Sequence, residues 1–377
     1  MALPQILVVV GEASGDGHAA GLIRELQRAR PDLRFFGMGG PKLAALGVEL
    51  LYRAEEISVM GVTEVLPKLR RILGVMAGLA AAARRRRPLC AILVDVPDFN
   101  LRLARKLKRL GIPVAYYISP MVWAWRKGRV SQIGEVVDRM LCILPFEAPY
   151  YRRAGVKTLY VGSPVLEQVP PAQTPQAFRE RLGVDPKRPT LALLPGSRAS
   201  EIARILPTMV AAAERLARER PGLQVLVPVA PSISTATIEA HFRGGALRPR
   251  LIEGKAAEVV GASDVAVVAS GTAVLEAGLM RRPLVVVYRV SALNGLLGRL
   301  LLRVSHVSLV NLLLGRALVP ELLQGQMTAE RIAREVSALW EGPARARQLE
   351  GLDELRRVLG KTGASQTAAL EVLSLLP

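Results

Sequence analysis

The 377-residue chain is short of the residues that most often announce a site. Its two cysteines, Cys90 and Cys142, each lie inside an apolar run and far from metal-ligand spacing, which fits a reducing compartment and packed thiols. The three histidines (His18, His241, His306) are scattered and no Asp-x-Asp pair occurs, so no metal site is expected. Aromatic residues make up only 4% and no nucleic-acid recognition motif is present, so nucleic acid is not the expected partner. Long apolar runs are missing as well. The longest, residues 72–83, is too short to span a bilayer. Residues 3–10 are apolar but lack a basic leader and a small-residue cleavage site, so they read as a first strand rather than a signal peptide. Acidic residues are also scarce: 32 Asp and Glu against 51 Lys and Arg leave a net charge of +19. Such an excess calls for an anionic membrane surface or a phosphorylated substrate.

Half the residues are hydrophobic, and they fall into short β-branched runs alternating with helical patterns. The rhythm pauses once, at the proline-rich stretch 168–175, and then restarts. Two successive βα arrays joined by such a linker predict an α/β protein: two Rossmann-like domains with parallel sheets facing a cleft. The expected boundaries are 1–167 and 168–339, with the tail 340–377 packing back on the first domain.

The loops between strands and helices hold the candidate chemistry. In the second half, the buried run 265–269 ends in Ser270-Gly271-Thr272, where Gly271 admits a ligand close to backbone and Thr272 is suited to cap the next helix. Glu276, one turn on, can accept two sugar hydroxyls. A similar turn, Pro195-Gly196-Ser197-Arg198, offers N–H groups at Gly196 and Ser197 and a guanidinium at Arg198 for phosphate. An ordinary capped βα turn is the plainer reading of both. In the first half, the glycine-rich loop 11–17 departs from the dinucleotide fingerprint, and its Glu12 and Asp16 would repel phosphate. Glu12, Ser14 and Asp16 therefore suit sugar hydroxyls, unless the loop serves only tight strand–helix packing.

The run 90–94 ends in Asp95-Val-Pro-Asp98-Phe-Asn, two carboxylates at the edge where parallel sheets place active sites. Asp98 is a candidate for chemistry or, alternatively, a cap on the helix it begins. Trp123 lies in a junction with a second tryptophan, suited to a sugar-ring contact or to core packing.

A further stretch combines apolar and basic residues. Val62, Val65, Leu66, Leu69, Ile72, Leu73 and Met76 recur at helical spacing beside Lys68, Arg70, Arg71 and the 84–87 arginine cluster. The charge excess favours a membrane contact. Packing of the stripe on the first sheet is the alternative, and residues 293–303 form a second stretch of the same kind.

An ordered series of motifs resembles the lipid-A-disaccharide synthase family of glycosyltransferases. It comprises Gly-Glu-Ala-Ser-Gly-Asp (11–16), Ser-Val-Met-Gly (58–61), Asp-x-Pro-Asp-Phe-Asn (95–100) and Ser-Pro-x-Val-Trp-Ala-Trp-Arg (119–126). Leu-Pro-Phe-Glu (144–147), Leu-Leu-Pro-Gly-Ser-Arg (193–198), Ala-Ser-Gly-Thr-Ala-x-Leu-Glu (269–276) and Val-Ser-Leu-x-Asn-Leu-Leu (307–313) complete it. The resemblance implies a GT-B fold, no cofactor and no metal. It also implies inverting transfer of 2,3-diacylglucosamine from its UDP derivative to the matching glucosamine 1-phosphate. By position it makes Asp98 the general base and Arg198 the group that stabilises the departing diphosphate. Gly196, Ser197, Ser270, Gly271 and Thr272 would assist at the diphosphate, and Glu276 would hold the ribose with Asn311 and Gln324 nearby. The expected setting is the inner face of the cytoplasmic membrane, bound peripherally to its anionic surface, with a homodimer compatible. The rival readings are a UDP-sugar 2-epimerase of the same architecture and a basic lipid-binding protein without activity.

Overall fold

A computed structural model describes residues 3–57, 62–121, 129–171, 173–291 and 305–377 of the chain. It consists of two compact units, Met1–Glu167 with Leu359–Pro377, and Gln168–Val358. The expectations for residues 58–61, Trp123 and residues 293–303, and for the side chains of Val62, Val65 and Leu66, lie outside the described residues.

The first unit is built on seven strands: β1 (Gln5–Val10), β2 (Arg34–Gly39), β3 (Glu49–Arg53), β4 (Cys90–Val94), β5 (Val114–Tyr117), β6 (Arg139–Cys142) and β7 (Thr158–Tyr160). They pair in parallel in the order β3-β2-β1-β4-β5-β6-β7. The second unit carries β8 (Thr190–Leu194), β9 (Gln224–Val229), β10 (Arg250–Glu253), β11 (Val265–Ala269), β12 (Leu284–Tyr288) and β13 (Glu321–Leu323). Its parallel order is β10-β9-β8-β11-β12-β13. These are the two Rossmann-like parallel sheets that the alternation predicts. Strands β4 and β11, and β1 and β8 after their first residues, read as unbroken apolar runs because, like most strands inside parallel sheets, they are covered on both faces. Burial also pushes the Cys90 thiol up to about 12, which leaves it a protonated packing group.

The strand orders position the sites. In each sheet the winding reverses once, between β1 and β4 and between β8 and β11, and a crevice opens at the carboxyl ends of such a pair. Val10 stands opposite Val94, so the loop after β1 meets the loop after β4. Leu194 stands opposite Val268, which likewise brings together the turns after β8 and β11.

Residues 340–358, expected with the returning tail, remain in the second unit, where Gln348 donates to the Leu284 carbonyl and accepts from its N–H. The chain rejoins the first unit at Leu359, and the helix Ala364–Leu373 packs on the helix Ala13–Ala29. Glu167 holds this return by accepting from the N–H groups of Gly363 and Ser365, each at 3.0 Å.

Candidate functional site

At the end of β4 the backbone turns sharply. Asp95 and Val96 are both left-handed, with φ of 55° and 42°, a costly conformation for a β-branched residue. Several contacts hold it there. Asn100, fully buried, donates from Nδ2 to the carbonyls of Val94 (3.1 Å) and Asp95 (2.8 Å), and the Tyr116 hydroxyl donates to the Asp95 carbonyl at 2.5 Å. Asp95 Oδ1 accepts from the Val96 N–H at 2.9 Å. Gly11 has to lack a side chain here, because a Cβ would collide with Val96. Burial, and then the Asp95 charge, push the Tyr116 hydroxyl well above its ordinary value, so it stays a donor.

The strained turn starts the helix Pro97–Arg109 with proline in its first turn and leaves Asp98 exposed at the sheet's carboxyl edge. Val96 occupies the N-cap position, where its side chain makes no cap bond, and Asp98 lies in the first turn of the helix. Asp98, Leu101, Arg102, Arg105 and Gln132 line a depression of about 150 Å³. Sequence reasoning assigns no role to Asn100 or Tyr116: Asn100 closes the motif 95–100, whereas Tyr116 gives no local signal inside its strand.

The loop after β1 divides into two kinds of residue. Glu12 and Ser14 are half-buried beside the end of β4, and Glu12 stands at the N-cap without a side-chain cap bond. Asp16 corrects its expected role. It is 3% exposed, and its two oxygens accept from the N–H groups of Gly40 (2.7 Å) and Lys42 (2.9 Å). It therefore ties a second loop in place instead of facing sugar. Nearby, burial and then the charge of Lys42 lower His18 to about 4, which keeps its imidazole neutral.

The helix Val62–Arg86 splits the expected membrane stripe. Leu69 and Leu73 are 39% and 48% exposed, with Arg70 and Arg71 also exposed. Met76 is 5% exposed within the first core and Ile72 packs against that core, which corrects both as surface contacts. Ile72, Val75, Met76 and Leu79 face that core, whereas Leu69 and Leu73 lie on the outer side of the helix. Arg71 pairs with Glu56, and Arg86 makes two 2.6 Å bonds to Glu49, so the basic flank is partly neutralised.

In the second unit, Gly196 has φ of 112°, and a Cβ there would lie 2.5 Å from a carboxylate oxygen of Glu201. That carboxylate accepts from the Ser197 N–H at 3.2 Å and from Arg198 Nη1 at 2.9 Å. Ser232 donates to the Ser197 carbonyl. Arg198 occupies the N-cap of the helix Ala199–Glu219. Glu201 thus organises the turn, a role that its place three residues after the arginine does not reveal. Glu201→Ala is expected to lower stability by about 1–3 kcal/mol, since it removes a charge-assisted bond and strands a backbone donor. A denaturant titration measures it, and an unchanged midpoint refutes this role.

Opposite, Ser270 and Gly271 follow β11, with open space around Gly271. Thr272 stands at the N-cap of the helix Ala273–Leu279, but its side chain makes no cap bond, contrary to expectation. Glu276 is half-buried in the first turn. Asn311 corrects its expected contact with nucleotide. It is 1% exposed; Nδ2 donates to the Val319 carbonyl (2.9 Å) and Glu321 (2.8 Å), and Oδ1 accepts from Leu318 (2.8 Å) and Val319 (2.9 Å). With its amide fully used, it clamps a loop. Gln324 has φ of 51° directly after β13, a left-handed position at the carboxyl edge of the sheet. Among the described residues no His, Cys, Asp and Glu cluster could hold a metal ion.

Comparison with known proteins extends these observations. A family model described as lipid-A-disaccharide synthetase matches residues 6–372. A lipid-A-disaccharide synthase of Myxococcus xanthus (strain DK1622) is 65% identical over 375 residues, covering 99% of this chain and 98% of that protein. Another, of Anaeromyxobacter dehalogenans (strain 2CP-C), is 53% identical, covering 99% and 97%. Among solved structures, UDP-GlcNAc 2-epimerase from Neisseria meningitidis bound to UDP-GlcNAc shares the fold. It has a TM-score of 0.68 at 12% identity, covering 98% of this chain and all of that one.

Proposed function

The chain belongs to the lipid-A-disaccharide synthase family of glycosyltransferases, and we propose that it transfers 2,3-diacylglucosamine from UDP to a 2,3-diacylglucosamine 1-phosphate acceptor. In this reading the acceptor hydroxyl oxygen attacks the anomeric carbon and its proton passes to the Asp98 carboxylate. The bond from that carbon to the diphosphate breaks, and the electron pair leaves with UDP. Arg198 stabilises the growing charge, with the turns at Gly196, Ser197 and Ser270–Thr272 beside it. Glu276 accepts from the ribose hydroxyls, and Gln324 contributes from the next strand end. The observation that carries the reading is the exposed carboxylate of Asp98 at the first sheet's winding reversal, beside a strained and heavily bonded turn. Incubating the protein with both acylated substrates and weighing the products tests it; disaccharide phosphate supports it, and free UDP with unlinked sugar overturns it. The epimerase reading is not favoured, because epimerases share the fold at 12% identity while the synthases share 53–65%.

The proposal extends to location: the enzyme works in the cytoplasm on the inner face of the cytoplasmic membrane, reaching acylated substrates through the exposed part of the helix Val62–Arg86. No helix among the described residues is long and apolar enough to cross a membrane. Leu69 and Leu73, one helical turn apart, flank Arg70 and Arg71, each basic residue contributing about 1 kcal/mol near an anionic surface. Replacing both leucines with Ser is expected to release the protein from anionic vesicles. Because both side chains are exposed, the cost in stability should stay within about 0.5 kcal/mol. Co-sedimentation together with a thermal melt checks both, and a folded variant that still sediments refutes the contact.

A further inference from the structure

We propose that Arg102 and Arg105 form a subsite for the phosphate monoester of the acceptor, an inference that rests on the function proposed above. On the helix Pro97–Arg109, Asp98, Arg102 and Arg105 recur at i, i+4 and i+7 and line one depression. The opposite face of the helix, with Phe99, Leu103, Ala104 and Leu107, is buried in the core, so this row is fixed outward. Arg105 is further oriented by a 3.2 Å bond from Nη2 to Gln132 Oε1. Several arginines of the same unit have carboxylate partners: Arg30 with Asp32, Arg71 with Glu56, Arg86 with Glu49 and Arg139 with Glu371. Among the described residues neither Arg102 nor Arg105 is in an ion pair, and both are exposed. Two planar guanidinium forks in one depression suit a multidentate oxyanion such as a phosphate monoester.

The spacing fits the chemistry. A helix rises about 1.5 Å per residue, so Arg102 and Arg105 stand roughly 6 and 10 Å up the axis from Asp98. An acceptor whose hydroxyl sits at Asp98 presents its phosphate across the width of one sugar ring, within reach of both long side chains. Charge balance points the same way. A phosphate monoester carries a charge of about −1.5 to −2 near neutrality, which two guanidinium groups offset. Leu101 offers an apolar strip within the same depression. The subsite also answers a problem of selection. Donor and acceptor carry the same acylated sugar and differ at the anomeric group, so a monophosphate site beside the base selects the acceptor.

The full-length protein carrying Arg102→Gln and Arg105→Gln tests the proposal. The acceptor 1-phosphate is compared with the same acylated glucosamine lacking its phosphate, and kcat/KM is measured for each. The wild type is expected to prefer the phosphorylated acceptor, and the double variant to shrink that preference by about 10- to 100-fold. The lysine pair, Arg102→Lys with Arg105→Lys, should restore part of it, since it keeps charge and loses the fork. An undiminished preference in the glutamine variant overturns the subsite. So does an equal loss with both acceptors, which would place the arginines in support of Asp98 or of the fold. Release of the variant from phosphatidylglycerol vesicles with the preference intact also overturns it, in favour of a lipid headgroup contact. A wild type that forms no disaccharide sinks the proposed reaction together with the subsite, whereas wild-type turnover with a preference unmoved by the mutations sinks the subsite alone.

Discussion

Asp98→Asn is expected to reduce turnover by about 100- to 10,000-fold while UDP affinity and the unfolding midpoint stay near wild type. Asparagine keeps the size and the hydrogen-bonding outline of the side chain but cannot take a proton. The side chain is exposed in the first helical turn, and Asn100, Tyr116 and Asp95 bond to the strained bend below it. Removing the charge should therefore affect chemistry without loosening the turn. Steady-state rates with both substrates, UDP calorimetry and a thermal melt separate these effects. Near-normal turnover would move the base to Asp95 or Glu12, which stand at the same pair of strand ends. Of the two, Asp95 is the more constrained, since one of its oxygens already accepts from the Val96 N–H.

Arg198→Ala is expected to lower kcat by about 100- to 1,000-fold and to weaken UDP binding as well. Charge on the leaving diphosphate grows toward the transition state, so a guanidinium aimed at it contributes more there than in the ground state. A structural consequence accompanies the loss. Glu201 is 9% exposed and would keep the Ser197 N–H as a partner but lose its cation, leaving a nearly buried carboxylate without a countercharge. Arg198→Lys distinguishes the two effects: it keeps a cation near Glu201 but gives up the fork that fits a diphosphate. Recovery of stability without recovery of rate is the expected pattern. Unchanged UDP affinity in the alanine variant would place the nucleotide elsewhere.

The fold was legible because parallel strands covered on both faces have to be continuously apolar, as residues 6–10, 90–94 and 265–269 are. The neighbouring of loops was not legible in that way, because strand order is a property of the whole sheet. The role of Asp16 depended on partners 24 and 26 residues away, and the clamp at Asn311 on a loop that folds back over it. Met76 shows a similar limit. Helical spacing gave the stripe, but which of its side chains meet the core depends on how the helix Val62–Arg86 is turned against it. Tyr116 left no mark in the sequence, since it acts on a backbone carbonyl that any residue would supply, and Glu201 acts in part on the Ser197 N–H in the same way.

The return of residues 359–377 to the first unit has a consequence for synthesis. The ribosome makes the chain in one direction, so the helix Ala13–Ala29 emerges early, with the face later covered by Ala364, Ala368, Ala369 and Val372 still bare. The second unit, complete by Val358, has all its residues before the first does. The amino-terminal half therefore waits, with an open apolar flank, until residues 359–377 are translated. The Glu167 carboxylate, the last residue before the chain leaves that half, stands ready to fasten them. An arrest of translation before residue 359 would thus injure the half that was translated first.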